Sequence, residues 1–138
     1  MKIYIAGLLW EEKDRQKLEE IDKTCKELGF DTYLPHRDMG VFTNGSSKPF
    51  FERNKIEIDK CELMIALLDW KGIGSGTAWD IGCAYAKGKK IIGIVEDLKS
   101  VNKEFRTCVM CVNSVKLIEM KDLKKVLKGL KLKNLERW

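Results

Sequence analysis

LMIALLDWKGIGSGTAWDIGCAYAKGKKIIGIV, residues Leu63–Val95, decides the fold. Its first six residues, Leu63–Leu68, are apolar throughout, and KIIGIV (Lys90–Val95) is nearly so. A run that does not alternate is buried on both faces, as in the central strands of a parallel sheet. Between the two runs, KGIGSGT is a glycine-rich turn, and Ala78 to Lys87 reads as a helix closed by Gly88. Strand, turn, helix, strand implies two parallel strands joined by a right-handed crossover.

On the N-terminal side, KIYIA (Lys2–Ala6) is a short β-rich run ending at Gly7. From Glu11 to Leu28, Leu18, Ile21, Cys25 and Leu28 recur at helical spacing, and Gly29 supplies the stop. Phe30–Leu34 is a second strand broken by Pro35, and His36–Lys48 is polar and glycine-containing, as a long loop would be. Phe50–Lys60 has helix-like spacing at Phe51, Lys55 and Ile58. Towards the C-terminus the pattern is weaker, with a last strand at Ser114–Ile118 and a last helix at Lys121–Leu130. Together these elements predict one domain over residues 1–138. The expected fold is flavodoxin-like: a doubly wound five-stranded parallel sheet with helices on both faces.

Composition agrees with a compact globular chain. Of 138 residues, 34% are charged and 44% hydrophobic, with two prolines and no low-complexity tract, which argues against disorder. The apolar start of MKIYIAGLLW is too short, and too soon followed by charge, for a signal peptide or membrane span, so the expected setting is the cytoplasm. In that setting the five cysteines, an odd number without framework spacing, are expected to stay reduced as small core hydrophobes. That includes the CVMC pair Cys108 and Cys111: zinc would want a second such pair, and a thioredoxin-like pair would follow the first strand of a βαβ unit. No metal is expected. The formal charge of +5 comes largely from the last eighteen residues, KDLKKVLKGLKLKNLERW, which read as a solvated face. Nucleic acid is the least expected partner, and it would show steep salt dependence.

In open parallel sheets a ligand sits beyond the carboxyl ends of the strands. The loops there hold Gly7–Trp10, His36–Lys48 and Asp69–Thr77. Gly72, Gly74 and Gly76 let backbone approach a ligand, and a helix starting near Thr77 aims N–H groups at a phosphate or sugar oxygen. Gly7, Asp69, Gly74, Ser75, Gly76 and Thr77 are thus expected binding residues. The loop is neither a Walker loop nor a dinucleotide fingerprint.

KIYIAG, YLPHRD, ERNKIEIDKCELMIALLD and SGTAWDIGCAYAKGKKIIG, in that order, resemble the nucleoside 2-deoxyribosyltransferases and related nucleotide N-glycosidases from Lys2 to about Asp97. The resemblance implies transfer or hydrolysis at the N-glycosidic bond of a nucleoside or nucleotide, without a cofactor. It also implies a homodimer or larger homo-oligomer with shared sites. In that family the acid closing the GTAW segment is a nucleophilic Glu; Asp80 stands there. A carboxylate suits the reaction because bond cleavage builds positive charge on the sugar. At the start of a helix the dipole would keep Asp80 ionised, and the same charge could equally be a simple helix-terminus feature.

Two departures concern acids the family usually carries. Gly74 stands where an Asp lies six residues before the nucleophile, and Asn54 stands where a second acid lies. Asp59, five residues further along the helix, would face about 140° away and is no substitute for Asn54. Cys108 stands where an Asn reaches a neighbouring subunit's site. The alternative is therefore a nucleotide-binding homologue with catalysis lost or weakened. Two other residues keep two readings each. Trp10 either stacks on a base or begins the helix core, and His36 either serves phosphate or the leaving base or has no role in the site.

Overall fold

The computed structural model describes residues 1–68, 73–101 and 108–132; Asp69, Gly72 and residues 133–138 lie outside them. The chain forms β1 (Lys2–Ala6), α1 (Glu12–Glu27), β2 (Asp31–Tyr33), α2 (Pro35–Asp38) and α3 (Lys48–Lys60). It continues with β3 (Leu63–Leu67), α4 (Ser75–Ala86), β4 (Lys90–Val95), α5 (Val109–Asn113), β5 (Lys116–Glu119) and α6 (Leu123–Leu132). All five strands are parallel, in the order β2-β1-β3-β4-β5, which is the flavodoxin-like arrangement.

Side chains alternate across the sheet and build two cores. Ile3, Ile5, Ile65, Ile92 and Ile94 face Leu18, Ile21 and Cys25 of α1 and Leu123 and Leu127 of α6. Tyr4, Ala6, Tyr33, Met64 and Ala66 face Ile58 of α3, Ile81 and Ala84 of α4 and Cys111 of α5. Ala6, Ala66 and Gly93 pair in register across three strands, so a row of minimal side chains lies on the sheet. Ala6 and Ala66 let α4, which touches β1, β3 and β4, lie close, whereas a Cβ at Gly93 would meet Leu68, Val115 and Leu117. Gly29, at φ 86°, ends α1 as its position implied.

Some boundaries differ from the sequence reading, each for a local reason. Pro35 does not merely end β2; it stands at the first position of α2, where its missing N–H costs nothing, so the expected loop opens with a helical turn. α4 begins at Ser75 with Gly74 as its extended cap, two residues earlier than expected. The largest correction concerns CVMC: Cys108 and Cys111 are joined by a disulfide rather than being two reduced core residues. Cys108 caps α5 and Cys111 lies within its first turn, which sets their Cα atoms 5.3 Å apart, inside the bonding range. Among the described residues, no helix is long and apolar enough to cross a membrane.

Candidate functional site

β1 sends its chain outward to β2, whereas β3 sends its chain the other way to β4, so a crevice opens between the loops that follow them. A cavity of about 340 Å³ lies there. The β1 loop contributes Gly7, Leu8, Leu9 and Trp10, and the start of α4 contributes Gly74 to Thr77 and Asp80. Asn54 and Phe50 come from α3, and Gly40, Val41 and Phe42 from the loop after α2. Arg15 holds the β1 loop, donating to the carbonyl oxygens of Leu9 (2.5 Å) and Trp10 (3.1 Å). Trp10 is 72% exposed, which removes the core reading and leaves its ring at the cavity mouth.

Asp80 is the only ionisable side chain among the described lining residues. Its carboxylate Oδ2 accepts a hydrogen bond from Tyr4 Oη at 3.2 Å. Burial pushes Asp80 up to about 7, and the Tyr4 hydroxyl opposes that rise only in part. Burial rather than the expected helix dipole therefore governs its ionisation. α4 has no acid in its first turn, and Asp80, six residues in, lies beyond the dipole's short reach. Tyr4 in turn is pushed far above the usual phenol range by burial and then by the Asp80 charge.

A second polar chain fixes Asn54. Tyr33 Oη donates to Asn54 Oδ1 at 2.6 Å, and the Tyr33 ring lies 5.3 Å from that of Tyr4. Burial raises the Tyr33 phenol to about 12 against the nearby Arg53, whose guanidinium sits 5.4 Å from the ring centre. Arg53 also reaches buried Glu57, which Lys2 pairs at 2.6 Å. Burial alone would raise Glu57, but these two cations hold it below the usual carboxylate range. Asp59 points elsewhere, pairing with Lys87 beyond the end of α4.

Gly74 has a steric explanation. A Cβ there would lie 2.3 Å from Leu8 Cδ2, so Leu8 occupies the space that a side chain at position 74 would use. The α4 N-terminus is left open, because Gly74 offers no side-chain cap to its first N–H groups.

Of the residues expected to form a site, Gly7, Trp10, Asn54, Gly74, Ser75, Gly76, Thr77 and Asp80 surround this one cavity. His36 does not join them: its Nε2 faces Glu19 Oε1 at 3.0 Å, and its buried Nδ1 has no partner among the described residues. Asp69 lies outside the described residues. Tyr4 and Leu8 escaped the sequence reading. The available signal for Tyr4 was a polar-tipped ring in an otherwise aliphatic buried strand.

A sequence model of the nucleoside 2-deoxyribosyltransferases matches residues 3–128. The chain belongs to that family. It is a family of glycosyl-transferring enzymes, and its fold recurs in solved structures. A 2-deoxyribosyltransferase from Bacillus psychrosaccharolyticus superposes with TM-score 0.74 at 19% identity, over 91% of this chain and 90% of that one. A conserved protein from Enterococcus faecalis gives TM-score 0.74 at 22% identity over 96% and 98%. The CMP N-glycosidase of Clostridium botulinum gives 0.60 at 23% identity over 96% and 100%. These likenesses concern the fold. Among curated protein sequences, no match reaches significance.

Proposed function

We propose that this family member cleaves the N-glycosidic bond of a nucleoside or nucleotide, with Asp80 as the carboxylate that meets the sugar. The carrying observation is the Asp80 carboxylate, held by Tyr4 in a cavity beside an exposed Trp and a neutral Asn. The ionised carboxylate attacks the anomeric carbon as the base leaves, and water or a second base then releases the sugar. Trp10, with its face free, stacks on the base. The uncapped N–H groups of Ser75, Gly76 and Thr77 take a sugar or phosphate oxygen.

The rival, a nucleotide-binding homologue with weakened catalysis, has its own support. Asp is one methylene shorter than Glu, so its carboxylate falls short by about 1.5 Å. Misplacement near 1 Å costs on the order of a hundredfold. Incubation with a panel of nucleosides and nucleotides, with and without an acceptor base, followed by chromatography for free base, separates the two. Catalysis predicts slow base release that Asp80→Glu accelerates. Ligand binding without base release from any panel member supports the rival, and absence of binding sinks both.

The family resemblance also supports a homo-oligomer. The outer sides of α3 and α4 meet at Phe51 and Trp79, both exposed, whose rings lie 5.4 Å apart, edge to face. That apolar face is the proposed contact, and it borders the cavity through Phe50 and Asp80. Light scattering of Trp79→Lys should show smaller particles than wild type, and a monomeric wild type at high micromolar concentration would contradict the contact.

A further inference from the structure

We propose that Cys108 and Cys111 form a reversible thiol–disulfide exchange site, apart from the nucleoside cavity, that takes electrons from a thiolate donor attacking Cys108. Neither cysteine lines the cavity. Their bond spans a sequence separation of three, and so short a ring removes little freedom from the unfolded chain. A bond that adds so little to stability is a poor staple.

The two sulfurs differ in what can reach them. Cys111 is 4% exposed and packs in the core that holds Ile81 and Ala84 of α4. Cys108 is only partly buried, and the residues that follow it, Val109 and Met110, are 67% and 79% exposed. An incoming thiolate therefore meets Cys108, with Cys111 as the leaving sulfur. The local backbone bears on the second substitution, because the Cys111 N–H donates to Cys108 Sγ at 3.2 Å. When the second donor thiolate expels Cys108 from the mixed disulfide, that N–H favours the negative charge on the departing sulfur. The buried thiols of Cys25 and Cys61 make a contrast, since burial holds them protonated, at about 12 and about 11.

The exchange balances as two substitutions at sulfur. A donor thiolate bonds to Cys108 Sγ, the Cys108–Cys111 bond breaks, and its electron pair leaves on Cys111 Sγ, which takes a proton. A second donor thiol, as thiolate, then attacks the donor sulfur of the mixed disulfide and expels Cys108 as thiolate, which takes a proton in turn. The donor thiols end as a disulfide and the protein gains two electrons and two protons.

The test uses the full chain, incubated across a series of reduced-to-oxidised glutathione ratios or with dithiothreitol, then alkylated and mapped by mass spectrometry. Cys108 and Cys111 should pass together from disulfide to dithiol along the series while Cys25 and Cys61 remain unpaired. Cys111→Ser should accumulate a glutathione adduct on Cys108, and Cys108→Ser should accumulate none on Cys111. Reduction of the folded protein by glutathione supports a monothiol donor, and reduction by dithiothreitol alone supports a dithiol donor. The proposal falls if both cysteines are alkylated at the most oxidising ratio, so that no disulfide forms. It also falls if the disulfide survives both reductants until the chain is unfolded. The wild-type titration decides this even if a variant fails to fold.

Discussion

α1 and α4 pack on opposite faces of the same sheet, yet their outer surfaces have little in common. α1 buries Leu18, Ile21 and Cys25 and turns Glu12, Gln16, Glu19, Glu20 and Lys23 to solvent, as a helix with one finished apolar stripe does. α4 buries Thr77, Ile81 and Ala84, but its outer surface shows Trp79, Gly82 and Tyr85, and its sole charge, Asp80, lines the cavity. A helix whose outer side carries exposed aromatic rings and no charge is one that expects a cover. α1 therefore serves stability, whereas α4 presents the proposed ligand site at its N-terminus and the proposed contact with a second copy along its outside.

The contrast breaks most sharply at the inner residues. Leu18→Ala should cost about 2–5 kcal/mol in denaturant unfolding, since Leu18 is fully buried. Tyr85→Ala on the outside of α4 should change the folding of one protomer by about 0.5 kcal/mol or less. If the two changes cost the same, the distinction between the helices is wrong.

Tyr4→Phe sharpens the other end of α4. A hydrogen bond to a charged group contributes about 1.5–3 kcal/mol, which is roughly one to two pH units in the ionisation of Asp80. The midpoint of base release against pH should move upward from about 7 by that amount. An unmoved midpoint would remove Tyr4 as the group that positions Asp80.

The same carboxyl also makes stability depend on pH. Asp80 has a folded pKa of about 7 against an ordinary 3.8, so its contribution is fully present below about 3.8 and is lost as pH rises through about 7. Asp80→Asn should therefore gain in melting temperature relative to wild type between pH 4 and pH 8. A gain that is equal at both ends would show that burial does not govern this carboxyl.

The parts of the fold legible in the sequence are those set by burial on both sides. β1 and β4 have the bounds that their apolar runs imply, and β3 differs by one residue. α2 was not legible, because four residues carry no period and Pro35 reads equally as a break or as a first helical position. For the site, the loops at the strand ends were legible as a place, and GTAWD as a carboxylate presented there. What escaped depends on contacts distant in sequence: Tyr4 reaches Asp80 across 76 residues, and Leu8 fills the space beside Gly74. His36 drew notice as the lone histidine, yet it turns to α1, because a residue type in a loop does not state which way its ring points.

In the proposed reaction the ionised Asp80 carboxylate acts on the sugar. Base release from the best nucleoside or nucleotide of the panel, followed against pH for wild type and Asp80→Ala with ligand binding measured alongside, tests it most directly. The wild-type rate should rise through about pH 7 to a plateau, and the Asp80→Ala protein should bind the ligand but release base only at the uncatalysed rate. An Asp80→Ala protein that releases base as fast as wild type would contradict that action on the sugar.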